Sequence, residues 1–274
     1  MLEVKDIIRS LVLTVLLLIG SKETMAQYNH IGLPHDINHV TVASNDLHGH
    51  VKEMTLRKVD IFSNEIIDQD TLYLHFNNEG LLTQRNSLWG EEYPDCIYRY
   101  SDGRLMEQTY SADNASVTST YLYTSSGCLT AAIQQWYENG KPNGTDTIHY
   151  TCDNNLIVAE RSPQGERQYS YKLDPISQEY LLATETQDGI TTQYDYDTDG
   201  RMIKRTTLDN GVVTRTETFT YNDHGDLIEY QQTSPNDDDP LIIIKKYTYD
   251  SHGNWITCTS NLYYEQRTIT YYND

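Results

Sequence analysis

The chain has 274 residues, with 40 Asp or Glu against 20 Lys or Arg, a formal net charge of −20. Such a balance repels nucleic-acid phosphates and anionic lipid, so neither is expected as a partner. It contains 23 Tyr but only 3 Phe, and a tyrosine-rich face places hydroxyls at wet boundaries rather than in a deep oily core.

Residues 1–26 read as a signal peptide. Lys5 and Arg9 precede an apolar run from Leu11 to Gly20, and Thr24-Met25-Ala26 offers a cleavage site before Gln27. Glu3 and Asp6 are atypical for the positive region. The run is short for a bilayer span, and no Cys ends it to mark a lipid anchor. The expected mature chain therefore starts at Gln27, has no transmembrane helix, and is still strongly acidic.

Residues 27–69 form an N-terminal segment and an opening hairpin. His30, His35, His39, His48 and His50 crowd this stretch. A metal site on His35 and His39 would need a helical turn. Pro34 and the run Val40-Thr41-Val42 oppose that turn, so no metal is expected. The sequence from Asp46 to Lys52 reads as the opening hairpin, with Gly49 in its turn and an alternating strand from Glu53 to Val59.

Residues 70–274 are built on a ten-residue unit. Its clearest copies are 194–203 (YDYDTDGRMI), 219–228 (FTYNDHGDLI) and 247–256 (YTYDSHGNWI). Weaker copies start at Leu74, Tyr98, Tyr121 and His149, with Asn154 in the glycine role of the last, and a degenerate copy lies around 169–174. The two aromatic residues share one strand face. The Asp or Asn and the Gly build a turn, and the two apolar residues start a return strand. Between copies stand turns of a second kind: Asp113-Asn114, Asn139-Gly140, Gln164-Gly165, Asp188-Gly189, Asn210-Gly211 and the stretch Pro235 to Pro240. The two classes alternate, which predicts an antiparallel meander with turns on two opposite edges.

The expected fold class is therefore all-β, one curved or barrel-like sheet of repeated hairpins. One aromatic and one polar face require curling, since a flat sheet would leave the aromatic face bare. An open half-pipe and a closed barrel both satisfy that demand. The last strand, Ile269 to Asp274, is expected at an edge.

The Tyr-Asp-x-x-Gly-Arg-Met pattern resembles the YD repeat of RHS-type proteins over residues 70–274. The resemblance implies a strand spiral or curved sheet and no single activity. Short secreted YD-like proteins of the Gram-negative envelope are the nearest form, which implies a secreted, periplasmic or envelope location. Large RHS toxin shells are less similar, because Asp174-Pro175-Ile176-Ser177 departs from their boundary motif and sits mid-chain.

Four cysteines, at 96, 128, 152 and 258, follow the exported leader and allow three pairings. Cys128 follows a turn Gly and Cys152 lies inside the next turn on the same edge, which allows that pair; isolated small residues are the equal alternative. Asp195, Asp197, Asp199 and Gly200 imitate the opening of a calcium loop, yet Thr206 stands where that loop needs Glu and both flanks read as strands. His224 beside Asp223, and His252 beside Asp250, sit in turn slots and read as solvent-facing fillers. No catalytic set, cofactor or metal site is expected. The leading function is a non-catalytic binding or structural module of the envelope, with a glycan or a peptide strand as candidate ligand. The alternatives are an envelope glycosidase using paired carboxylates, a fragment of an RHS-type delivery shell, and an outer-membrane barrel. The last needs outward apolar side chains, whereas strands 201–207 and 214–220 are polar on both faces.

Overall fold

A computed structural model describes residues 41–42, 45, 47–59, 66–87, 95–112, 114–235 and 239–273. Residues 1–26, which the sequence reads as a signal peptide, and His30, His35 and His39 lie outside the described residues. Eighteen strands follow in order: β1 (Val51–Val59), β2 (Ile66–Phe76), β3 (Leu82–Ser87), β4 (Asp95–Ser101), β5 (Arg104–Ala112), β6 (Ala115–Tyr123), β7 (Leu129–Glu138), β8 (Lys141–Asp153), β9 (Leu156–Ser162), β10 (Gly165–Leu173), β11 (Tyr180–Gln187), β12 (Ile190–Tyr196), β13 (Met202–Asp209), β14 (Val212–Tyr221), β15 (Leu227–Thr233), β16 (Leu241–Tyr249), β17 (Trp255–Ser260) and β18 (Tyr264–Tyr271). Each pairs antiparallel with its sequence neighbours, and β1 also pairs with β18. The sheet is therefore a closed barrel.

Closure corrects one expectation. The C-terminal strand is not an edge: β18 is paired to β17 on one side and to β1 on the other, with Met54 opposite Ile269 and Leu56 opposite Arg267. An edge would leave a row of unpaired N–H and C=O groups, and the seam satisfies them.

The curl has a repeated local cause. In each repeat hairpin the register slips just before the second aromatic position. Asp195 faces Lys204 but Tyr196 faces Met202, which leaves Ile203 as an extra residue. Ile228 and Ile256 occupy the same slot in the next copies, and Met106 does so earlier. Each slip is a β-bulge, which raises local twist and bends the strand. Repetition of the bulge around the sheet supports its closure.

A second device ties successive repeats. The hydroxyl of the second tyrosine donates to a backbone carbonyl at the start of the preceding return strand: Tyr100 to Leu82 (2.6 Å), Tyr123 to Leu105 (2.7 Å), Tyr196 to Leu182 (2.8 Å) and Tyr221 to Met202 (2.7 Å). Phe could fill the volume but would leave the hydrogen bond unmade. The tyrosine excess thus has a structural reason beyond wet boundaries. Burial raises the Tyr123 hydroxyl to about 12, so the donor stays protonated.

Alternation turns the apolar residues into the barrel. Met54, Leu56, Leu72, Leu74, Phe76, Leu82, Tyr98, Leu105, Tyr121, Leu129 and Trp255 belong to one buried cluster. Tyr194, Met202, Phe219 and Leu227 form a second, smaller one. The outward positions carry Thr118 and Thr120, Gln193 and Asp195, Thr216, Thr218 and Thr220, and Gln266, Thr268 and Thr270. Of the opening hairpin, the strand is β1. The residues just before it run along the rim instead: His48 N donates to Asn254 Oδ1 (2.6 Å), and Asn254 Nδ2 returns a bond to His48 O (2.9 Å). Val42 and Leu47 are buried in the larger cluster. Cys128 and Cys152 form a disulfide between neighbouring repeat turns, with Cα atoms 6.6 Å apart. Cys96 and Cys258 are buried thiols that burial pushes up to about 11.

Candidate functional site: the charged wall of the lumen

The acids singled out by the sequence do not converge. Asp197 organises its turn: its Oδ1 accepts the amides of Asp199 (3.0 Å) and Arg201 (2.9 Å), and its Oδ2 accepts Arg201 Nε (2.8 Å). Asp199 pairs with Arg201 Nη2 at 2.9 Å, and Asp195 points outward, 4.0 Å from Lys172. Asn77, Asn222 and Asp250 repeat the Asp197 amide pattern in their own turns. Among the described residues no three His, Cys, Asp or Glu side chains cluster as metal ligands. Gly200 has φ 76°, a conformation that Ala resists. Gly200→Ala should therefore cost about 1 kcal/mol or more, whereas Asp195→Asn should change stability by under about 0.5 kcal/mol because its ion pair is exposed. Thermal melting of both variants checks this. A fall of several degrees when chelator is added to the unmodified chain would mean that the acids hold a cation.

The turn histidines are more than fillers. His224 stacks on Tyr249 with centroids 4.1 Å apart, and His252 stacks on Tyr271 at 3.9 Å. Arg201 takes the equivalent place over Tyr221 at 5.4 Å. Neither His is arranged as a base beside a nucleophile. Burial would raise Asp250, but the Tyr271 hydroxyl and the amides of Asn254 and His252 outweigh it and hold the carboxyl low.

The chemistry that the sequence reading missed lines the inner face of β9 to β14, deeper than the turns. Glu160 accepts the Tyr169 hydroxyl (3.0 Å). Glu185 accepts the Tyr194 hydroxyl (3.1 Å) and lies 3.2 Å from Arg167 Nε. Glu217 accepts Arg205 through two 2.5 Å bonds and the Tyr230 hydroxyl, on β15, at 2.8 Å. Cross-strand register builds this lattice, since Arg167 faces Glu160 and Gln187, Tyr194 faces Arg205, and Arg205 faces Glu217. Burial works to raise Glu217, yet the Arg205 guanidinium and Tyr230 prevail and lower it. Arg167 and Glu185 keep side-chain exposures of 32% and 19%, so this wall is reached by solvent. An eighteen-strand circumference is too wide for one layer of side chains to fill. The signal was present as an alternation of Glu, Arg and Tyr at inward positions, legible only once register is known.

No protein-family model matches the chain, and no curated protein does. Among solved structures it is similar to a porin-like protein from Bacteroides uniformis ATCC 8492, with TM-score 0.43, 12% identity, and 80% of this chain and 98% of that chain covered. A porin-like protein from Bacteroides vulgatus ATCC 8482 gives TM-score 0.41, 11% identity and coverages of 82% and 100%. A chain of the TcdB2-TccC3-Cdc42 structure gives TM-score 0.23 and 12% identity, with 73% of this chain aligned to 16% of that one.

Proposed function

We propose that the chain is an exported, non-catalytic barrel that works in water and binds a ligand against its inner wall, in the cell envelope or outside the cell. The observation that carries this is the polarity of the two faces. Apolar side chains and ordered ion pairs face inward, while Thr, Gln and charged residues face outward. A barrel embedded in lipid needs a continuous outward apolar band. Outward apolar residues such as Ile97 and Leu122 stand among polar neighbours, and Ile242 with Ile244 makes a short patch on β16 rather than a continuous band. The Cys128–Cys152 disulfide supports an oxidising compartment. The non-catalytic reading is supported by the lumen carboxylates. Glu185 and Glu217 are each engaged by an Arg and a Tyr, and Glu217 is lowered rather than raised, the opposite of what a glycosidase acid needs. Glycans and peptide strands are the ligand classes that suit tyrosines, arginines and carboxylates on a concave wall.

A second reading, an outer-membrane barrel, draws on one observation: full antiparallel closure with an even strand number. Cell fractionation separates the two. The chain should be released with the periplasm or medium, start at Gln27, and stay monodisperse without detergent. It should then bind members of a glycan or peptide array. Recovery only from outer membranes with detergent would establish the second reading and overturn the first.

A further inference from the structure

On the far side of the lattice, strands β16, β17, β18 and β1 bring together three cations, and one of them, Lys245, is not matched in the same way. Lys245 is 9% exposed, faces inward opposite Ser260, and has no ion-pair or hydrogen-bond partner among the described residues. Its Nζ lies 5.8 Å from the centre of the Tyr263 ring, and Lys58 Nζ lies 5.1 Å from the same ring. Arg267, 5% exposed, stacks its guanidinium 3.5 Å from the Trp255 ring centre. Trp255 is itself 5% exposed, and its indole N–H has no hydrogen-bond partner among the described residues. The carboxylate facing this sector is Glu265, registered opposite Cys258 and Lys58.

The contrast with the lattice is chemical. Arg167 and Arg205 each have a carboxylate within 3.2 Å. Lys245 is more buried than either partner of the Arg167–Glu185 pair and has none. A buried ammonium without a counter-charge is costly, and so is a buried N–H without an acceptor. Both groups stand in one sector, beside two more cations and one acid. Lys58, Tyr263 and Glu265 are only half-buried, and they join this sector to the solvent-facing part of the wall.

We infer that this sector is an anion site, which takes a carboxylate or sulfate group of a small ligand, with Lys245 as its charge partner and the Trp255 indole N–H as a donor. The inference rests on the binding-module reading and names the chemistry that the module would recognise. Half-buried Tyr263 supplies an aromatic face beside the charge, which suits an acidic sugar. Arg267 is held in place by its stacking and adds positive potential.

The test is equilibrium titration of the mature chain with three probes: a trimer of galacturonic acid, the methyl ester of that trimer, and inorganic sulfate. The acid trimer should bind and the ester should bind at least tenfold more weakly. Competition by sulfate would assign recognition to the oxyanion alone; binding of the trimer without such competition would assign it to the acidic sugar. Lys245→Met should weaken trimer binding at least tenfold while leaving the melting temperature unchanged or higher, because it removes an unmatched buried charge. A lysine kept for structure would lower the melting temperature instead. Trp255→Phe should weaken trimer binding several-fold. Equal binding of trimer and ester would overturn the anion site and leave a neutral-ligand module standing. Failure of all three probes, or full trimer binding by Lys245→Met, would also overturn the site.

Discussion

Replacing Glu217 by Ala should lower stability by about 3–5 kcal/mol, the range seen when one partner of a buried ion pair is removed. Glu217 is 2% exposed, and its two oxygens accept Arg205 and the Tyr230 hydroxyl. Alanine would leave the 17%-exposed guanidinium without the carboxylate that faces it. Glu217→Gln keeps the volume and an acceptor for Tyr230, and should lose less. Denaturant unfolding of the two variants checks the order; a loss under about 1 kcal/mol for Glu217→Ala would mean that water already solvates the lattice. The same pair sets an acid limit. A carboxyl lowered in the folded state stabilises the fold fully above its unfolded pKa, and that stability is lost as pH falls through the folded pKa. Asp250 is lowered as well. The melting temperature should therefore fall as pH drops below about 4, and less steeply in Glu217→Gln.

Loss of the Cys128–Cys152 bridge should cost about 3 kcal/mol, because the bond closes a loop of 24 residues in the unfolded chain. For a chain of this size that is a shift on the order of 6–12 °C. Scanning calorimetry with and without reductant measures it. The double replacement by Ser should melt at the lower temperature and no longer respond to reductant. Cys96 and Cys258, buried and with thiols raised to about 11, should resist alkylation until the barrel unfolds. Rapid labelling of either in the folded chain would contradict the packing around it.

The sheet was legible because the repeat writes its turns in residue types with fixed backbone roles. Asp197, Asn222 and Asp250 each hold two amides of their own turn, and Gly200 takes a positive φ. The adjacency of Cys128 and Cys152 could be named as one option for the same reason, since both lie at repeat turns, but the bond itself was not legible. Closure was not legible. It depends on summed twist and on a bulge whose extra residue, Ile203 or Ile256, reads in the sequence as one more apolar strand position. The lumen lattice was hidden for another reason. Glu217 and Arg205 look like ordinary surface charges on polar strands, and only the inward face of a wide barrel gives them partners. Lys245, within Leu241–Tyr249, looks like a gatekeeper beside an isoleucine run rather than a buried cation.

The seam between β1 and β18 has a consequence for how the chain reaches this state. All other strand pairs join neighbours in sequence and can zip locally, each closing only a short loop. The seam must bring together segments from opposite ends of the described chain, and loop closure of that span is slow and entropically costly. Folding should therefore run through a nearly complete open sheet whose two terminal strands are bare edges. The bonds between His48 and Asn254 join the same two regions at the rim, so they act as a latch on that final step. Until the latch is made, the intermediate offers two complementary edges. A second molecule at the same stage could bridge them, and a high local concentration would then favour strand-swapped dimers over the closed monomer.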